Sequence, residues 1–195
     1  MALAASAALL LFAVACSDLT QPQDQLLTTA QLLILPQQAG APDVDPISFW
    51  VYNSRLTARQ LVHAGGFNIP YVEVRFPAQA LVSLNGQPLS DNDSVLVTVQ
   101  PRAGEYGFTL SPANLLFDES RSPTATFLFG IYGDASVGEA SPSYGSASEY
   151  VAALDIWFEI TVDRWSIVPA SGPAGNDAVA GALQSSGEYL LAAPR

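Results

Sequence analysis

The sequence predicts an all-β protein: an antiparallel β-sandwich preceded by a signal peptide and a flexible tether. Three observations carry this. From Ser48 onward, apolar and polar residues alternate with period two in one run after another. The runs are short and end in turn-forming residues. No long stretch shows apolar residues at helical spacing. Alternation with period two turns one face of a strand to a core. Several short strands separated by turns favour a sandwich.

The N-terminal stretch is read first. Residues 2–15 carry no charge and include the apolar block Ala7-Ala8-Leu9-Leu10-Leu11-Phe12-Ala13-Val14. A membrane-spanning helix needs about 20 apolar residues, so this block is too short for one. Its length and small-residue ending suit a secretory signal peptide over residues 1–15. Ala13-Val14-Ala15 is an A-x-A cleavage site. Followed by Cys16, it also resembles a bacterial lipobox, with Ala13 where leucine is most frequent. That resemblance implies that Cys16 becomes the first mature residue and carries acyl chains on its sulfur. With Ser17 next, it implies the outer membrane, the alternative being a secreted or periplasmic protein. Cys16 is the chain's one cysteine, so a disulfide within the chain has no second partner. A metal site at Cys16 would need companion ligands, and the region lacks His, Glu and further Cys.

Residues 16–46 read as a lipid-anchored tether rich in Gln and Pro. The apolar patch Leu32-Leu33-Ile34-Leu35 interrupts it, and four residues do not decide between a docked strand and a short helix. The domain proper is expected over residues 47–195. Val72, Val74 and Phe76 alternate with Glu73 and Arg75. Val95, Val97 and Val99 alternate with Ser94, Thr98 and Gln100, interrupted by Leu96. Residues 124–132 are rich in Thr, Phe and Ile. Ile156, Phe158, Ile160 and Val162 alternate with Trp157, Glu159, Thr161 and Asp163. Residues 165–168, 178–183 and 188–192 complete the series. Asn85-Gly86, Asp91-Asn92-Asp93, Ser111-Pro112, Ser122-Pro123, Gly172-Pro173 and Gly175-Asn176-Asp177 supply the turns. Residues 148–154 have room for one or two helical turns. The small, polar residues 133–147 read as a flexible loop.

Composition narrows the function classes. The chain holds 18 acidic and seven basic residues, a net charge of −11, which opposes binding to nucleic acid. The same charge opposes adhesion to anionic lipid, so membrane attachment falls to acyl chains on Cys16. A domain of about 140 residues buries roughly two thirds of its chain surface and needs no disulfide.

The ordered pieces resemble a ZU-five domain. The Leu61-Val62-His63-Ala64-Gly65-Gly66-Phe67-Asn68-Ile69 stretch is similar to that family's opening. Val72-Glu73-Val74-Arg75-Phe76-Pro77-Ala78-Gln79-Ala80-Leu81 resembles its Pro-Ala-Gly-Ala-Leu segment, with Gln79 in place of glycine. Tyr106-Gly107-Phe108-Thr109-Leu110-Ser111-Pro112 through Phe117, Trp165-Ser166-Ile167-Val168-Pro169 and Gly187-Glu188-Tyr189-Leu190-Leu191-Ala192 resemble its later strands. The resemblance covers roughly residues 55–195 and implies protein–protein interaction or a mechanical role. Some members of the family cleave themselves at a His-Phe-Ser motif before the last strand. Here Gln184 or Ser185 takes the place of the histidine, depending on alignment. A serine hydroxyl without a neighbouring base is a poor nucleophile at neutral pH.

A non-enzymatic binding or structural module of the cell envelope is therefore expected, with no cofactor and no metal. Its partner would be an envelope protein or a glycan. His63, before a Gly-Gly turn, is expected at a surface or edge. Asp118-Glu119 and Asp91-Asn92-Asp93 offer oxygen ligands of the kind calcium takes, but such residues more often cap turns. The resemblance sets Trp165 in a family strand, which implies a core position. Trp157, sharing a strand face with Glu159 and Thr161, is expected to be exposed. Trp157 and Tyr144 are the candidate ligand contacts, as a platform for a sugar. A secreted hydrolase would need a clustered polar site around His63.

Overall fold

The structure, a computed structural model, describes residues 26–195. Cys16 and the expected signal peptide lie outside them. The strands are β1 (Leu32–Ile34), β2 (Ile47–Tyr52), β3 (Thr57–Val62), β4 (Pro70–Phe76), β5 (Leu81–Leu84), β6 (Gln87–Pro88), β7 (Ser94–Pro101), β8 (Gly107–Ser111), β9 (Leu115–Phe117) and β10 (Thr124–Leu128). After the helix α1 (Ala147–Ala152) come β11 (Asp155–Thr161), β12 (Arg164–Ile167), β13 (Gly172–Pro173), β14 (Ala178–Ala182) and β15 (Gly187–Pro194).

They build an antiparallel β-sandwich. One sheet runs β12-β11-β15-β8-β7-β2, with β1 added beside the end of β15. The facing sheet runs β13-β14-β10-β4-β3. A small third sheet, β6-β5-β9, closes one end. The alternating residues fill the space between the sheets. Val95, Val97, Val99, Phe49 and Val51 from the first meet Val72, Val74, Phe76 and Phe127 from the second in one buried cluster. At the hairpin between β5 and β6, Asn85 and Gly86 take φ of 51° and 76°. Two positive φ values in a two-residue loop match the right-handed twist of paired strands. Gln79 also takes a positive φ, 62°, where glycine would be unstrained. Its side chain accepts a hydrogen bond from Arg121 and donates to Asp91 at 3.1 Å.

Two expectations about the chain's organisation are corrected. Residues 26–46 belong to the domain and are not tether. Leu27 pairs with Trp165 at the free edge of β12 through backbone bonds of 2.9 and 2.8 Å. A 3-10 turn at Thr29–Gln31 then carries the chain across the sheet's outer face, and β1 pairs with β15 (Ile34 opposite Ala192). The Leu35 and Gln37 N–H groups continue the contact by donating to Leu191 O and Gly104 O, and Pro36 O accepts from the Asp134 N–H. The patch at residues 32–35 is thus a docked strand. It was hidden because only three of its residues are strand, too few to show a period.

The second correction concerns residues 133–147, which fold back on the domain. Asp134 caps a 3-10 turn at Ala135–Gly138 by accepting from the Ser136 N–H, and its own N–H bonds to Pro36 O. Gly138 is buried against Tyr150 of α1, so close that a Cβ there would stand 2.3 Å from the Tyr150 Cβ. The composition looked loop-like because glycine and alanine are what this close approach needs.

Candidate functional site

The outer face of β11, β12 and β15 carries a second apolar cluster: Leu27, Leu32, Trp157, Trp165, Leu190 and Ala192. Trp157 is therefore not the exposed residue its strand position implied. It is 2% exposed, and its Nε1 donates to Ala192 O at 3.0 Å. The segment at Leu27–Leu32, expected to be tether, lies over it. Trp165 is buried, as expected, and its Nε1 donates to Thr29 Oγ1 at 2.9 Å. The other face of β11 thins out instead. Ile156 is buried, but beyond a bulge between Glu159 and Thr161 both Ile160 and Val162 are exposed.

Tyr144 is half-buried. Its ring packs 5.5 Å from Tyr150 and its hydroxyl donates to Pro194 O. The hydroxyl is committed to holding residues 133–147 against the end of β15. Neither candidate ligand contact stands free to bind, and the structure does not bring them together.

His63 is likewise not at the surface. It is 1% exposed, because Val44 bridges to it and the Ala64 N–H bonds to Asp43 O. Its Nδ1 lies 2.8 Å from Pro42 O, a partner that only accepts, so Nδ1 carries the proton. The ring is surrounded by Tyr132 at 4.5 Å, Tyr71 at 5.6 Å and Tyr106 at 6.4 Å between centroids. Tyr71 is the structural centre of this group. Its hydroxyl accepts from the Gly107 N–H at 2.7 Å and lies 2.6 Å from Gly107 O. Burial pushes the phenols of Tyr71 and Tyr106 well above the ordinary tyrosine range. Among the described residues, His63 Nε2 and the Tyr106 hydroxyl are buried without a hydrogen-bond partner. His63 makes no hydrogen bond to a serine or a carboxylate among them.

The serines before the last strand have structural employment. The Ser186 hydroxyl accepts from the Leu115 N–H at 3.0 Å, and its N–H donates to Leu115 O. Ser185 is clasped by the Tyr189 hydroxyl, which donates to its carbonyl. The acidic turns cap themselves. Asp118 accepts from the N–H groups of Ser120 and Arg121, and Asp93 from the N–H and hydroxyl of Ser90. These bonds, led for Asp118 by the Ser120 hydroxyl and for Asp93 by the Ser90 N–H, hold both carboxyls below the usual carboxylate range. No group of three or more His, Cys, Asp and Glu suited to a metal ion occurs among the described residues.

Exposed aromatic side chains stand elsewhere: Phe67, 84% exposed between β3 and β4, and two on β2. Phe49 and Val51 point into the core, so Ser48, Trp50 and Tyr52 point out. Trp50 is 50% exposed, directly opposite Leu96 at 48%. The Arg55 guanidinium lies 4.3 Å above the Tyr52 ring. A groove of about 360 Å³ lies by Val137 and Arg195, and another of about 300 Å³ runs beside Trp50 between β2 and β3. The alternation Ile47-Ser48-Phe49-Trp50-Val51-Tyr52 carried the signal for this surface, because Phe and Val on one face leave Trp and Tyr on the other.

The fold and these sites define an all-β sandwich in which, among the described residues, Ser185, Ser186, Asp93 and Asp118 are hydrogen-bonded within the fold and Trp50 and Tyr52 stand exposed on an edge strand. Comparison of the chain with protein-family models, curated proteins and solved structures finds no match.

Proposed function

We propose that the chain is a lipid-anchored, non-enzymatic module of the bacterial cell envelope, with a ZU-five-like β-sandwich that binds a partner or bears structure. One observation carries the reading: the apolar block ends in Ala13-Val14-Ala15-Cys16, and that cysteine is the chain's one thiol. The net charge of −11 supports it, since only acyl chains would then hold the protein at an anionic membrane. The non-enzymatic part draws support from His63, enclosed by tyrosines, and from Ser186, whose hydroxyl is spent on Leu115. The outer membrane is the proposed location, following Ser17. The carbohydrate reading, deprived of Trp157, keeps one favourable observation, the exposed pair Trp50 and Tyr52.

The test is the intact mass of the protein made in a bacterial host. The expected mass is that of a chain beginning at Cys16 with acyl chains attached, recovered in the membrane fraction. Cys16→Ser should remove the lipid mass and release the protein. A mature chain with an unmodified thiol at Cys16 would refute the anchor. Two fragments divided near Ser186 would refute the non-enzymatic reading.

A further inference from the structure

A sheet edge is a row of unpaired N–H and C=O groups, and proteins cover, shorten or charge such edges. Three of the four edges of the two main sheets are managed in this way. Leu27 pairs with β12. The β13 edge is two residues long and contains Pro173. The β3 edge exposes Arg59 and Gln60 and ends under Val44. β2 carries none of these devices within its own six residues, although the guanidinium groups of Arg55 and Arg59 lie over its Tyr52 and Phe49 rings at 4.3 and 5.5 Å. Its six residues, Ile47, Ser48, Phe49, Trp50, Val51 and Tyr52, include no charge and no proline, and they pair with β7 without a bulge.

The direction of its backbone groups follows from the ladder. The Asn53 N–H bonds to Asp93 O, and the Arg102 N–H bonds to Gly107 O. Hydrogen-bonded pairs alternate in an antiparallel ladder. Odd-numbered residues of β7 therefore bond to β2, and even-numbered ones to β8. On β2 the odd residues spend their backbone groups on β7. Ser48, Trp50 and Tyr52 aim theirs at the free edge. Of these, the Tyr52 carbonyl also receives the Arg55 N–H, at 3.3 Å.

We propose that this edge pairs with β2 of a second copy of the chain, antiparallel about a two-fold axis at Trp50. The strand is self-complementary in that register. Trp50 faces its own counterpart, and Ser48 faces the partner copy's Tyr52 in a hydrogen-bonded pair. Phe49 faces Val51, extending the core edge on the inner face. Beyond the paired strands, the two-fold brings the Asp45 end of one copy's β2 beside the turn at Tyr52–Arg55 of the other. Asp45 and Arg55 are both exposed, and Arg55 makes no ion pair among the described residues. Isologous pairing of this kind is the usual geometry of a two-fold dimer. It joins two sandwiches into one continuous sheet and leaves no bare edge. A single strand pair buries less than the roughly 1,200 Å² of a stable interface, so the dimer is weak and depends on concentration. This inference does not rest on the lipid anchor and can fail without it.

The experiment uses the chain carrying Cys16→Ser. Sedimentation equilibrium over a concentration series should show monomer and dimer. Trp50→Lys, which sets two like charges at the axis, should raise the dissociation constant at least about tenfold with thermal unfolding unchanged. Asp45→Arg should weaken the dimer, and adding Arg55→Asp should restore it. Trp50→Cys should cross-link two copies on mild oxidation, because a hydrogen-bonded antiparallel pair sets the Cα atoms about 5.5 Å apart, within disulfide reach. Leu96→Cys, one strand further in, should not. A monomer at every concentration would overturn the proposal. So would a dimer indifferent to Trp50→Lys, or cross-linking through Leu96→Cys as efficient as through Trp50→Cys.

Discussion

Replacing Leu32 with alanine tests whether residues 26–35 are a structural part of the domain. Leu32 is 1% exposed and packs with Leu27, Trp157, Trp165, Leu190 and Ala192. Burying a leucine is worth about 1.5–3 kcal/mol in transfer alone. The cavity left by truncation adds to this, and Leu→Ala losses run from about 2 to 5 kcal/mol. The outer cluster is a single layer under one strap of chain and can partly collapse, which favours the lower half of that range, about 3 kcal/mol. For a chain of this size each kcal/mol moves the melting temperature by about 2–4 °C, giving a drop of about 6–12 °C. Urea unfolding should show a lower midpoint with an unchanged slope. Tryptophan emission from Trp157 and Trp165 should shift to the red, most clearly in a Trp50→Phe background. Leu26→Ala, at a residue 44% exposed, is the control and should stay within about 0.5 kcal/mol. A loss for Leu32→Ala no larger than this control would refute the docking of the segment and return it to the tether.

Tyr71→Phe should cost about 1–3 kcal/mol by leaving the buried Gly107 N–H without its acceptor, read as a lower denaturant midpoint. Gly138→Ala should destabilise by about 1–3 kcal/mol, since its Cβ would meet the Tyr150 Cβ, and a neutral result would mean that residues 133–147 do not pack on α1. Burial raises the phenols of Tyr71, Tyr106, Tyr150 and Tyr189 above the ordinary value of 10.0. A group whose folded pKa lies above its unfolded one holds its proton more tightly in the native state, so its contribution is intact below about pH 10 and is lost as pH rises beyond. Absorbance at alkaline pH should therefore show these four ionising together with unfolding; gradual ionisation while the near-ultraviolet dichroism stays native would contradict it.

The sandwich was legible because β4 and β7 bury every second residue, and such alternation needs no knowledge of the partner strand. The burial expected of Trp165 came instead from the ZU-five resemblance, since β12 buries the consecutive residues Trp165 and Ser166 and shows no alternation. The exposures of Trp157 and His63 were not legible, and they fail for a shared cause. Trp157 is covered by Leu27 and Leu32, and His63 by Pro42 and Val44. Both covers come from the stretch whose Gln and Pro content reads as linker. Pairing through isolated bridges and a three-residue strand leaves no periodic trace, so composition prevailed over contacts that only the folded chain reveals. Residues 133–147 misled in the same way, because Gly138 serves close packing there and not freedom of the backbone. Trp50 was within reach, since the Phe49–Val51 spacing already assigned it to the outer face.

The strap over Trp157 and Trp165 also decides how the domain meets a mechanical load. A pull on the N-terminal end reaches the Leu27–Trp165 pair first, then the bond from the Thr29 N–H to Asp163, then the short ladder between β1 and β15. These attachments lie in series along the chain, so they open one at a time like a zipper. Releasing residues 26–35 yields at most about 35 Å of extended chain before tension reaches the strands of the main core. Under a pull applied at residue 26, this strap is the first part to be loaded, ahead of the strands of the main core.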